Sequence, residues 1–183
     1  MLGVAERRAF AGGADEIVDT IVGAASPRAL PWAMALVGAI IGLPMFFEIG
    51  LVLLMPVIYL VARRSGQSLI TIGIPALAGL SAMHGFVPPH PGPLTAVGLL
   101  NADLGVTLGL GVLVAIPTII VSGPLFGKLA GKWVMVEAPH TFDADQAGRA
   151  ERKRPSFGIT IFSVLLPVVL MLGKALVDIF IDD

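Results

Sequence analysis

The sequence contains no cysteine, which excludes disulfides, thiolate metal sites and cysteine nucleophiles, although it assigns no redox compartment by itself. Charge is scarce as well. Only 14% of the 183 residues are Asp, Glu, Lys or Arg, and between Arg64 and Lys128 there is no Lys or Arg, while the acids reduce to Asp103. A soluble fold needs charged surface within any stretch of that length. The net charge of -1 and the pI near 6.3 provide no basic field, so nucleic-acid binding is set aside. The opening residues MLGVAERRAFAGGADEIVDT do not read as a signal peptide, because an acid comes early and no continuous apolar core follows the arginines.

What the chain has is apolar length: 56% of it is hydrophobic and the mean hydropathy is +0.90. The expected fold is an all-α polytopic membrane protein. Residues 1–29 form an amphipathic N-terminal segment, with Ala14, Ile17, Val18, Ile21 and Val22 at helical spacing. The run from Leu30 to Ala62 would reach about 50 Å as one helix, against about 30 Å of bilayer core. It is therefore either one strongly tilted helix or two short helices meeting as a re-entrant hairpin. Its centre, Gly42-Leu43-Pro44-Met45-Phe46-Phe47-Glu48-Ile49-Gly50, is a poor helix middle and a suitable hairpin tip. Arg28 precedes the run and Arg63 and Arg64 follow it; basic flanks belong on the cytoplasmic side, and a hairpin returns both to it.

Leu69 to Leu100 reads as a transmembrane helix broken within His84-Gly85-Phe86-Val87-Pro88-Pro89-His90-Pro91-Gly92-Pro93, since four prolines in ten residues cannot continue an α-helix. Backbone opened at membrane depth must be buried in protein or line a wet cavity, and broken helices are how many secondary transporters build their sites. Residues 104–129 form a further span kinked by Pro117 and Gly123-Pro124. Residues 130–155 form a polar cytoplasmic loop ending in the basic cluster Arg149, Arg152, Lys153 and Arg154. Residues 157–181 form a last span, with Lys174 and Asp178 near its far end. The whole is one membrane domain, without internal repeats.

Phe46-Phe47-Glu48-Ile49-Gly50, then Leu54-Met55-Pro56-Val57-Ile58-Tyr59-Leu60, then the run from His84 to Pro93 and Asn101-Ala102-Asp103-Leu104-Gly105, resemble the gluconate permease family. Pro155-Ser156-Phe157-Gly158 and Leu166-Pro167-Val168-Val169-Leu170 extend the resemblance, which covers the chain from about Gly12 onward. It implies proton-coupled uptake of gluconate or a related hydroxy acid across the bacterial inner membrane, by a multi-pass carrier of the ion-transporter type with re-entrant hairpins and broken helices. No cofactor is implied. Family members are more than twice as long, so the chain resembles an internal portion lacking the earliest helices and the second half. Its partners would be the remaining half of the transporter or a second copy, together with the lipid bilayer.

Glu48 is the first candidate, because an ionisable group in an apolar run is costly and faces a cavity or a partner; it carries a proton or gates substrate, or it caps the amides of a broken helix. His84 and His90 flank the break and relay a proton, bind a sugar hydroxyl, or are satisfied structural histidines. Gly85, Pro88, Pro89 and Gly92 act through backbone, opening amides to an anionic substrate where no arginine is near, or merely kink the helix. Ser81, Thr95 and Asn101 are further candidates for hydroxyl or carboxylate contacts. Two rival readings are an intramembrane metal-dependent hydrolase using Glu48, His84 and His90, and a partial transporter without activity of its own.

Overall fold

The structure is a computed structural model that describes Thr20, residues 22–137 and single positions between 158 and 177, all of the latter helical. Most of the amphipathic N-terminal segment, most of the 130–155 loop, and Lys174 and Asp178 of the last span lie outside the described residues. Among the described residues the protein is helical throughout, with no strand.

Helix α1 covers Leu30–Gly42, starting on Pro31 in its first turn, where the absent proline N–H is no loss. Helix α2 covers Phe47–Ser65 and closes on Gly66 in the left-handed region at φ 64°. At about 20 Å, α1 is shorter than a bilayer core. The two ends of the pair meet, since Gln67 Nε2 donates to the Pro27 carbonyl at 2.6 Å. The unit is thus a helical hairpin whose tip is residues 43–46.

Helix α3, Leu69–Phe86, rises beside α1 and parallel to it. The contact is made by small residues: a Cβ on Gly38 would strike the carbonyl of Ala76, one on Gly42 would lie 3.1 Å from the Cα of Leu80, and one on Gly79 would strike the carbonyl of Ala35. Close backbone approach of this kind is how helices associate where no hydrophobic drive distinguishes partner from lipid. Around it lies a core of Met34, Val37, Ile41, Leu54, Ile58, Ile72, Ala76 and Leu80, all buried.

The chain breaks at residues 87–90 and resumes as α4, Pro91–Leu100, with the Pro88-Pro89 peptide cis. Asn101 ends α4 in the left-handed conformation at φ 49°, and Asp103 begins α5, Leu104–Ile120, its carboxylate accepting the Val106 N–H at 2.6 Å. A π-helical turn, Val121–Leu125, follows, and then α6, Phe126–Trp133. Pro117 leaves α5 helical; the widened turn sits at Pro124, whose missing N–H interrupts the α-helical ladder.

The rod of α5, the π turn and α6 runs antiparallel to α3, as Gly111 lies on the Phe86 carbonyl, Gly123 on Pro75 and Ala78, Gly127 on Pro75 and Gly131 on Thr71. The helix extends past 129 to Trp133 because Gly131 keeps it flush against the first turn of α3. The strand-like tail then bonds to the same turn, through Leu69 N–H to the Val136 carbonyl at 2.8 Å. Among the described residues two helical stretches are long and apolar enough to cross a membrane, Leu69–Leu100 with its break and Leu104–Trp133. Arg28, Arg63, Arg64, Lys128 and Lys132 all fall at the end where Pro27, Gln67 and Val136 meet, and Lys128 Nζ stands 5.8 Å over the Trp32 ring.

Candidate functional site

The hairpin tip and the helix break converge at one level. The last carbonyls of α1 have no intrahelical donors; His90 Nε2 supplies one, donating to the Gly42 carbonyl at 2.8 Å. His90 is only 4% exposed and doubles as the N-cap residue of α4. Its ring lies 4.7 Å from that of His84, centroid to centroid and tilted by 48°. Phe46 meets both rings edge-on, at 6.4 Å from His84 and 6.3 Å from His90, and Phe47 meets His84 at 6.4 Å. His84 Nδ1 is buried and has no hydrogen-bond partner among the described residues.

Two helices therefore begin side by side. Phe46 is the N-cap of α2 and His90 the N-cap of α4, and neither side chain caps its own helix. The amides of the first turns stay open, and the positive ends of both helix dipoles face the same place. The donors are few, however. Pro88, Pro89, Pro91 and Pro93 have no N–H, the Val87 amide bonds the Met83 carbonyl and the His90 amide bonds the Val87 carbonyl. At α4 this leaves Gly92, and at α2 it leaves Phe47, Glu48 and Ile49, because the Gly50 amide already bonds the Phe46 carbonyl. The opened backbone is shorter than the ten-residue run suggested, since α3 stays helical through Phe86.

Glu48 is exposed in the first turn of α2, a position where a negative side chain is electrostatically favoured. Gly85 and Gly92 are exposed, with open space where a Cβ would stand, and Pro89 is exposed while Pro88 is fully buried. Thr95 and Asn101 do not join this group: the Thr95 hydroxyl donates to the Pro91 carbonyl at 2.6 Å within α4, and Asn101 is the turn residue about 15 Å of helix further on. Ser81 is exposed one turn below Gly85. It lines an open groove of about 660 Å³ that descends from Phe47 and Gly85 past Ala78 and Ile74, with Thr118, Ser122 and Phe126 on the other wall. The hydroxyls of Thr118 and Ser122 donate to their own helix, at 2.8 and 2.6 Å, and turn acceptor lone pairs outward.

The Gly42 carbonyl, the two phenylalanines and the hydroxyls of Thr118 and Ser122 are the components that sequence reasoning passed over. Phe46 and Phe47 were visible as part of the tip, but nothing in one sequence says that their rings pack on histidines some forty residues away. Among the described residues no group of three His, Cys, Asp or Glu side chains is arranged to hold a metal ion, and His90 Nε2 is already committed. The hydrolase reading thus finds no metal centre in Glu48, His84 and His90.

A family model described as GntP family permease matches residues 2–183. A gluconate permease of Pseudomonas aeruginosa is 48% identical over 180 residues, 96% of this chain and 39% of the relative. The Gnt-II system L-idonate transporter of Escherichia coli K12 is 38% identical, over 92% of this chain and 38% of the relative. The D-serine transporter DsdX of the same strain is 39% identical, over 79% and 33%. The chain thus spans well under half the length of these relatives. No solved structure matches it.

Proposed function

The chain belongs to the GntP permease family, and from that premise we propose that it is part of the core of a secondary transporter which takes up gluconate or a related sugar acid together with protons. It is a membrane protein, and we place it, as a multi-pass carrier, in the bacterial inner membrane with the basic end cytoplasmic. The hairpin of α1 and α2 enters and leaves from that side, and α3 with α4 makes the broken crossing.

The observation that carries this reading is the meeting of two uncapped helix N-termini at Phe46 and His90, 6.3 Å apart by ring centroid. With no Lys or Arg from residue 65 to 127, these dipoles are what attracts a carboxylate. The imidazoles of His84 and His90 and the first-turn carboxylate of Glu48 are the proton-handling groups. Gly85, Pro88, Pro89 and Gly92 keep the backbone approachable, and Ser81 with Thr118 and Ser122 bonds sugar hydroxyls along the groove. Thr95 and Asn101 shape α4 rather than touch substrate.

The test is uptake of labelled gluconate into lipid vesicles bearing the complete permease. A proton gradient imposed from outside should drive accumulation, and collapsing it should end accumulation. Uptake indifferent to the gradient would remove the coupling, and no saturable gluconate uptake would remove the substrate class. Because the chain spans only 39% of its Pseudomonas relative, we propose that movement against the remaining helices, or against a second copy, provides alternating access. Vesicles bearing this chain alone should then bind gluconate without accumulating it.

A further inference from the structure

Two imidazoles face each other where the hairpin tip meets the break, and their nitrogens are in unlike situations. His90 Nε2 lies 2.8 Å from the Gly42 carbonyl. A carbonyl only accepts, so Nε2 carries the hydrogen and Nδ1 is the acceptor nitrogen of the neutral ring. His84 Nδ1 is buried with nothing to bond among the described residues. Among the described residues one ring is held by a hydrogen bond and Nδ1 of the other has none.

The environment limits how much charge the two rings can hold. Their centroids are 4.7 Å apart, and the edges of Phe46 and Phe47 pack on them, leaving His90 buried and His84 half-buried. Two imidazolium ions at that spacing repel each other. The packed elements bring little else that ionises. Helices α1, α4 and α5 carry no ionisable side chain, and Asp103 caps α5 through the Val106 amide. Helix α2 brings Glu48, exposed beside Phe47, with Tyr59, Arg63 and Arg64 further toward the basic end, and α6 brings Lys128 and Lys132 at that same end.

We propose that His84 and His90 hold one coupling proton between them, His84 as the exchanging ring and His90 as a positioning residue that ties the proton site to the hairpin tip. This rests on the transport reading above. The neutral His84 ring takes a proton from water on the outer side and becomes imidazolium. A sugar-acid carboxylate then binds beside it at the helix N-termini, so that the bound pair is neutral overall. Release of the carboxylate and the proton on the other side restores the neutral ring. A proton bound without the anion, or the anion without the proton, leaves an uncompensated charge in an apolar region, which makes the two move together.

The experiment is imidazole nitrogen NMR of this chain, labelled with nitrogen-15 in lipid bilayers, with His140→Asn removing the third histidine, followed through an acid-to-neutral titration. The pair should take up one proton, with His90 in the Nε2–H form wherever it is neutral. His84→Gln should take up none over the same range. His90→Gln, whose amide still donates to Gly42, should take up one. Two protons on the unaltered pair, hydrogen on Nδ1 of neutral His90, or undiminished uptake by His84→Gln would overturn the proposal. In the complete permease, His84→Gln should reach the membrane in normal amounts but lose both accumulation against a gradient and exchange of internal for external gluconate; retained accumulation would overturn the assignment to His84. If the unaltered permease moves no gluconate, the transport reading fails, while the nitrogen spectra still decide the pair.

Discussion

His90 donates a 2.8 Å hydrogen bond to the backbone carbonyl of Gly42, 48 residues earlier, and so joins the end of one half-helix to the beginning of another. The bond is buried, so neither group has water as an alternative, and the loss of one partner leaves the other stranded. The hairpin tip and the break consequently behave as one body rather than as two loops that happen to touch.

Loss of that donor should therefore cost stability. His90→Leu is expected to destabilise the protein by about 1–3 kcal/mol through the stranded Gly42 carbonyl, while His90→Gln, which keeps a donor, should cost less. Thermal unfolding in detergent measures both. Equal melting temperatures for the Leu variant and the unaltered protein would show that the bond holds nothing together.

The α1–α3 contact has no room for a methyl group. A Cβ on Gly38 or Gly79 would run into the carbonyls of Ala76 and Ala35 respectively, so the two backbones must separate to admit it. Gly38→Ala and Gly79→Ala are each expected to cost about 1–3 kcal/mol, as overpacked interiors do. Gly98→Ala, with open space at its Cβ, should instead be neutral or stabilise by about 0.5–1 kcal/mol, because it removes a glycine from a helix. Similar melting for all three would mean that the helices do not pack this closely.

Helical character was legible because apolar length and the lack of charge between Arg64 and Lys128 admit little else. The break was legible because Pro88, Pro89 and Pro91 have no N–H to extend a helix. What pairs with what was not legible. Gly123, Gly127 and Gly131 stand four residues apart and face α3 in sequence order, a small-residue stripe readable in retrospect, yet Gly123 read only as part of a kink. The partner of a stripe is a tertiary fact. His84 and His90 read as neighbours of the break, but their facing rings and the Gly42 acceptor depend on α1 ending beside α4. Thr95 and Asn101 stood out as polar residues in apolar helices; the Thr95 hydroxyl bonds its own helix and Asn101 ends it, local roles that side-chain type alone does not announce.

Glu48 stands exposed in the first turn of α2, beside Phe47, whose ring meets His84. Glu48→Gln in the complete permease is expected to abolish proton-driven accumulation without affecting membrane insertion. Normal amounts of protein in the membrane fraction check insertion, and gluconate uptake against a gradient checks coupling. Unchanged uphill uptake would remove Glu48 from the proton route.

The absence of native cysteine allows the groove to be mapped one residue at a time. Ser81→Cys and Ser122→Cys should react with a water-soluble thiol reagent, and gluconate should slow the reaction, because both positions line the proposed path. Leu113, 63% exposed on α5, should not react as cysteine, since its exposure is to lipid. Labelling at 113 as fast as at 81 would show that water, not acyl chains, covers the outer face of α5.

The same approach tests the side from which the hairpin enters. Gln67 Nε2 bonds the Pro27 carbonyl at 2.6 Å, so the residues before α1 and after α2 share one end of the molecule, and α1 at about 20 Å is too short to cross alone. Ser26→Cys and Gln67→Cys should both be modified by an impermeant reagent applied to the cytoplasmic face of inverted vesicles. Asn101→Cys should be modified only from the opposite face, because α3 and α4 lie between it and Gln67. A single tilted crossing by residues 30–62 would place 26 and 67 on opposite faces, and opposite-face labelling of those two positions would rule out the re-entrant hairpin.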